Sequence, residues 1–572
     1  MKKDIRTLAA LLIASATFVA CSSDDIIAND QPVPHVQKYT MTINASKGDG
    51  ATTRALTIDN SGKKNVLTAT WAEGEAVSVY NVTRSADLTG TLTAQSDGAS
   101  TTLKGELEGT IAAGDELTLK FLSPSYGTQD GTLTGSATSI DKVCDYAEAT
   151  VTVASVADGK VTTTADAEFA NKQAIVKFTL KQKIDDANIV IPAATALTVN
   201  DGTNDYTVTP TSATNELFVA IPATGAVNLS TNISGIHYSY NKTGAGLTVG
   251  KYYEITVKMN RDFVKLEGMT GNVTLLNGDL VTGTLDGSTQ KYKITIADGA
   301  TVTLDNATIN GVTDGAGVAY SSSVNWAGIN CEGNATIILK DGSTNTVKGF
   351  YLGNPGIHVP SGSTLTIKGE TAGTGSLTAS STDNGAGIGG GHDLACGNIV
   401  IEGGNITAIG GNTAAGIGGG WDYPCGSITI SGGTITATGG KSGAGIGSGG
   451  GDIANTSSCG DITISGGTVV AQGGLCSAGI GSGCRSKCGN ILIEGGTITA
   501  TGGKWATGIG SGGWDSSCGT VTIMNTVTSV TATKGEKSPN SIGEGDESPC
   551  STVTIGGVET GSISESPYTY EP

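Results

Sequence analysis

Residues 396–424 read CGNIVIEGGNITAIGGNTAAGIGGGWDYP, and the same pattern restarts at Cys425. Cysteines recur at 396, 425, 459, 488, 518 and 550, in steps of 29, 34, 29, 30 and 32 residues. Each heads a related segment: CGNIVI, CGSITI, CGDITI, CGNILI, CGTVTI and CSTVTI. A GG-x-[IV]-[TV]-A segment follows at Gly403-Gly404, Gly432-Gly433, Gly466-Gly467 and Gly495-Gly496. A third segment is AGIGGG at 386–391 and 415–420, AGIGSG at 444–449 and 478–483, and TGIGSG at 507–512. Three short strands per ~30 residues, divided by glycine corners, describe one coil of a parallel β-helix. Coils stack about 4.8 Å apart, so equivalent residues form ladders. Ile428, Ile430, Ile462 and Ile464 then point inward as a thin aliphatic core. Irregular coils such as ITIADGATVTLDNATI and GSTLTIKGE extend the pattern back to residue 262. Residues 262–572 predict roughly ten coils, a rod of about 45–50 Å, with TGSISESPYTYEP as an end cap.

Composition agrees. Of 572 residues, 87 are Gly and 13 Pro, together 100 or about 17%, without a collagen triplet. Charged residues are 15%, and the formal net charge is −19, which excludes the basic footprint nucleic acid demands. Frequent Thr, Ser, Val, Ile and Gly favour extended structure with tight turns.

Upstream, residues 1–20 read as a signal peptide: Lys2, Lys3 and Arg6 precede an apolar stretch from Leu8 to Ala20. The exit Phe18-Val19-Ala20-Cys21 resembles a bacterial lipobox, which implies acylation of Cys21 and anchorage in outer-membrane lipid. Ser22, Ser23, Asp24 and Asp25 resemble the acidic tag that sends lipoproteins of Bacteroides-type bacteria to the cell surface. Residues 21–37 form a tether. Period-two alternation then begins at Tyr39/Met41/Ile43 and returns at Val77/Val79, Leu117/Leu119/Phe121, Val176/Phe178/Leu180 and Tyr253/Ile255/Val257. This predicts antiparallel β-sandwiches over 38–160 and 161–261, for an all-β chain.

TRALTIDNSG (53–62), TATWAEGEAVSVY (68–80), FANKQAIVKFTL (169–180) and GKYYEITVKMNR (250–261) resemble the fimbrillin-like family of surface adhesins and pilus subunits. The resemblance covers roughly 38–261. It implies a cell-surface lipoprotein or adhesin, fimbrial subunits as partners, and protease cleavage after an arginine where Arg54 stands. The C-terminal strands that a pilin would donate are replaced here by the repeat, which favours a non-polymerising protein or tip subunit.

Two constellations in the repeat carry chemistry. The ladder Cys396, Cys425, Cys459, Cys488, Cys518 and Cys550 suits either disulfides or stacked thiols, in a scaffold role. Strand alternation back from Ile428 directs Cys425 outward unless a corner resets the phase. Cys476 and Cys484 add two more in one coil. The second constellation is the corner before each ladder cysteine: His392 and Asp393, then Trp421, Asp422 and Tyr423, then Trp514 and Asp515, with Trp505 nearby. Aromatic faces beside carboxylates suit a polysaccharide or host glycan. The same rings could instead shield the corner. Stacked acids could also serve a lyase or hydrolase, or recruit Ca²⁺, but no calcium or dinucleotide motif stands in the right context, so no cofactor is assigned. His35, His237 and His358 are scattered and form no metal motif. The expectation is a surface adhesin whose β-helix presents a repeated binding edge. A fimbrial structural or tip subunit and a polysaccharide-active enzyme remain the alternatives.

Overall fold

The computed structural model describes residues 37–47, 57–59, 66–68, 70–123, 126–184, 187–190, 193–312, 325–351, 353–381, 383–452 and 457–572. Residues 1–20, expected as a signal peptide, and the expected lipidation and cleavage positions Cys21 and Arg54 lie outside these residues. The chain is almost entirely β and divides into two compact units.

The first unit holds an eight-stranded sheet. Lys38–Lys47 pairs antiparallel with Ser100–Glu108 from Lys38↔Glu108 to Ser46↔Ser100, which closes the sheet on itself. Alternation does what a pleated strand requires: Tyr39, Met41 and Ile43 are buried, while Thr40, Thr42 and Asn44 face out. Trp71 fills the interior, edge-on to Phe121 and Phe169 at 5.9 and 5.1 Å. Lys160–Thr163 and Ala167–Asn171 both belong to this sheet, so its last strands run past the expected 160/161 boundary.

The second unit begins with a further β domain. Ala174–Ile184 pairs antiparallel with Glu216–Ile221 and parallel with Tyr252–Lys265. Residues 122–147, expected in the first sandwich, belong here. Thr128 pairs with Thr207, and the Gln129 side chain exchanges two 2.8 Å hydrogen bonds with the backbone of Ala220. Nothing periodic in the sequence announces that exchange. The expected 261/262 boundary falls inside the 14-residue strand Tyr252–Lys265. Its end pairs parallel with the first solenoid strand, Val264↔Val281, and one hydrophobic core continues from Val176 to Ile555. The β domain therefore covers the open end of the solenoid, where unpaired backbone would otherwise be exposed.

The solenoid makes about eight regular turns over residues ~295–555, fewer than the ten expected from 262. Three stacks follow the repeated segments. Ile399, Ile428, Ile462, Ile491, Val521 and Val553 are in register, as are Ile406, Ile435, Val469, Ile498 and Val530. Ile388, Ile417, Ile446, Ile480, Ile509 and Ile542 form the third. All are buried. The glycine after each of these last isoleucines has φ between +102° and +138°. In all but the last coil, a Cβ there would run into the carbonyl of the equivalent glycine one coil on.

A fourth stack was not expected as a strand: Pro424–Cys425, Ser458–Cys459, Lys487–Cys488 and Ser517–Cys518. It buries the cysteines. The outward direction expected for Cys425 is corrected by the two-residue corner Gly426-Ser427, which restarts the alternation before Ile428. At the far end the chain reverses, and Tyr568–Tyr570 pairs antiparallel with Ser529–Thr533.

Candidate functional site

The candidate edge follows from the G-I-G stack. Four residues before and four after each buried isoleucine, the backbone turns the corner. These positions are Asn384/His392, Thr413/Trp421, Ser442/Gly450, Cys476/Cys484, Trp505/Gly513 and Ser538/Asp546. The N–H of the later position donates to the carbonyl of the earlier one in the preceding coil. Examples are Trp421 to Asn384 (3.2 Å), Gly450 to Thr413 (2.7 Å), Gly513 to Cys476 (2.8 Å) and Asp546 to Trp505 (3.2 Å). The corner is therefore a fixed backbone frame whose side chains are free to vary.

Before five of the six ladder cysteines, the residue three positions earlier takes the left-handed conformation: Asp393 (φ 60°), Asp422 (62°), Arg485 (52°), Asp515 (60°) and Glu547 (51°). Asp tolerates that region better than most residues, which is one reason it stands there. Trp514 is also left-handed, at φ 60°.

Two aromatic pairs stand on this edge. The His392 and Trp421 rings lie 5.2 Å apart at 54°, and Trp505 and Trp514 lie 5.0 Å apart at 41°. Trp421, Trp505 and Trp514 are partly exposed. The Arg485 guanidinium lies 5.9 Å from the Trp514 ring centre, and the Lys504 ammonium 5.1 Å from that of Trp505. Trp421 and Trp514 are three coils apart, about 14 Å along the axis. Tyr423 is exposed on the corner beyond Asp422.

The acids are differently placed. Asp393 pairs with His392 at 2.9 Å and is largely exposed. Asp422 accepts the backbone N–H of Asp452 at 2.6 Å. Burial first, then the charges of Asp452 and Asp393, push its carboxyl above the usual range, against the opposing pull of that hydrogen bond and of His392. Asp515 is exposed. Among the described residues, no group of three or more His, Cys, Asp or Glu could hold a metal ion.

A cleft of about 440 Å³ opens beside the first pair, lined by Asn325, Asn354, Asp383, Asn384, His392, Asp393 and Leu394. The sequence reading missed its amides. Asn354 donates to Asn325 and to the Phe350 carbonyl, and Thr413 donates to Asn384 at 2.7 Å. Their signal is the coil period itself: Asn325, Asn354, Asn384 and Thr413 recur at 29 or 30 residues.

The beta helix repeat family matches residues 399–421, 428–450, 462–484 and 491–513. No curated protein matches the chain. Several solved structures are similar to it. One, described as a cell adhesion protein of Bacteroides uniformis, is 12% identical and covers 40% of this chain and 94% of its own, with a TM-score of 0.23. A fimbrial assembly protein of Parabacteroides distasonis is 13% identical over 38% of this chain and 90% of its own, at 0.22. A Bacteroides fragilis protein, also described as a cell adhesion protein, is 12% identical over 38% and 92%, at 0.23.

Proposed function

We propose that this protein is a surface-displayed, lipid-anchored adhesin that binds a polymeric glycan along the corner edge of its solenoid. The observation that carries the reading is the placement of two aromatic pairs, His392/Trp421 and Trp505/Trp514, on one edge. A flat, partly exposed ring offers a platform for the C–H face of a sugar, and Asp393, Asp422, Asp515 and the amides offer partners for hydroxyls. Partly exposed tryptophan is otherwise a liability on a surface. Sites repeated along one axis suit a repeating polymer, because simultaneous engagement multiplies weak contacts. Anchorage through acylated Cys21 would hold this edge outside the cell.

The test uses the whole chain, because a fragment starting at 262 would cut the strand Tyr252–Lys265 and expose the core beneath it. On an array of bacterial and host polysaccharides, the protein should retain one class of polymer. Trp421→Ala with Trp514→Ala should weaken that binding at least tenfold with an unchanged melting temperature. Undiminished affinity in the double variant would overturn the reading.

A further inference from the structure

We propose that the eight cysteines of the repeat close into four disulfides, with Cys459–Cys488, Cys518–Cys550 and Cys476–Cys484 joining the bonded pair Cys396–Cys425. The six ladder cysteines stand one per coil in a continuous stack: Cys425, Cys459, Cys488 and Cys518 are in strand register, and Cys518 bridges to Cys550. Cys396 and Cys425 are already bonded, with Cα atoms 4.4 Å apart. A linear stack of six admits only one complete pairing of neighbours. With Cys425 taken, Cys459 has only Cys488, and Cys518 is left with Cys550. The geometry follows that order: the Cys459 thiol lies 3.1 Å from the Cys488 sulfur. The Cys550 thiol donates to the carbonyl of Gly519, the residue after Cys518, at 3.2 Å.

Cys476 and Cys484 obey a different constraint, the corner frame four residues either side of Ile480. In the coils on each side the equivalent pairs are Ser442/Gly450 and Trp505/Gly513. A Cβ built on those glycines would come 2.7 and 2.9 Å from the partner's Cβ. The frame thus holds two Cβ atoms within the reach a disulfide needs, about 3.5–4.5 Å after slight opening. In this one coil both positions are cysteine, and both are buried.

Each bond forms by exchange with a disulfide donor, a thiol–disulfide oxidoreductase or a small-molecule disulfide. One cysteine thiolate attacks a donor sulfur and expels a thiolate. The second cysteine thiolate then attacks the mixed disulfide and expels the other. Two protons leave the cysteines, and the donor is reduced to two thiols. Of the eight, only Cys550 is not fully buried, so closure belongs to the stage before the coils finish stacking. In the reduced, fully stacked chain the neighbouring sulfur and burial hold Cys488 and Cys518 in the unreactive thiol form, which places closure before that stage.

The test is disulfide mapping of the full chain, refolded with oxidised and reduced glutathione or purified after export. Under denaturing, non-reducing conditions, alkylation should label Cys144 and Cys331, with Cys21 where it is not acylated, and none of the eight, and peptide mapping should return the four pairs. Alkylated Cys459, Cys476, Cys484, Cys488, Cys518 or Cys550 would overturn the proposal, as would Cys425–Cys459 or Cys488–Cys518 links. In Cys459→Ser the only new thiol should be Cys488. A Cys488–Cys518 bond with Cys550 released would show that proximity alone, not alternation, decides pairing.

Discussion

Gly481→Ala tests the claim that coil spacing fixes the G-I-G stack. Gly481 has φ +137°, and a Cβ there would collide with the carbonyl of Gly510 in the next coil. Holding alanine in that backbone region costs about 1–3 kcal/mol. Moving a packed coil to relieve the collision adds about 1–3 kcal/mol. The total is about 2–6 kcal/mol, concentrated at one interface, because each coil contacts only its neighbours. Gly557→Ala is the control. Its φ is +83° with nothing within 4 Å of the added carbon, so it carries strain alone, about 1–2 kcal/mol. Native-state hydrogen exchange should show residues 473–513 losing protection by at least roughly 30-fold in Gly481→Ala, while residues 294–310 keep theirs. Equal losses in the two variants would refute the reasoning, since the collision would then contribute nothing.

His358 is partly buried and shares a 3.2 Å hydrogen bond with the Ala395 carbonyl, and desolvation holds its pKa below the usual value. The unfolded chain therefore binds a proton that the folded one resists. Stability should fall as pH drops from about 6.5 towards 5, less steeply in His358→Gln, as read by denaturant titration at several pH values. Arg261 and Asp279 form a buried pair at 2.8 Å beneath the solenoid's first coil. Arg261→Met should cost about 3–5 kcal/mol in a denaturant melt by stranding Asp279, and adding Asp279→Leu should recover most of it. Asp422 has its carboxyl raised, chiefly by burial, so its contribution is present below the ordinary carboxylate pKa and is lost as pH rises through the folded value. Asp422→Asn should accordingly leave stability at pH 7 unchanged or higher, measured by thermal melt, while weakening glycan retention on the array.

The solenoid was legible because its residues repeat for a geometric reason: every inward isoleucine and every G-I-G glycine answers to the same ~4.8 Å stacking. The fourth stack was not legible, since a two-residue strand such as Pro424–Cys425 leaves no alternation to read. The N-terminal strands were legible as strands but not as partners. Thr128↔Thr207 and Lys38↔Glu108 are long-range pairings that a local period cannot encode. At the site, Trp421, Asp422 and Trp514 were visible one by one. That Trp505 meets Trp514 depends on the corner frame, which permits Trp505 because the facing position is Gly513. The amides Asn325, Asn354 and Asn384 were passed over because polar residues in loops are common, and only their shared period distinguishes them.

The corners and the cysteines belong to one design. Within a stack, side chains are dictated by the coil above and below, so Ile, Ala and Gly recur with little freedom. At the corner, the sequence changes from HDLA to WDYP, CRSK, WDSS and DESP while the backbone frame persists. Packing cannot explain those choices. The left-handed position accepts Arg485 and Glu547 as well as aspartate, so conformation alone does not demand a carboxylate there. Three residues further on stands a ladder cysteine. The Cys396–Cys425 bond ties together the two corners that carry His392 and Trp421. A binding edge built from short loops loses affinity when those loops must be ordered on contact. Covalent ties one corner away remove that cost in advance, which gives the ladder a consequence for recognition as well as for stability.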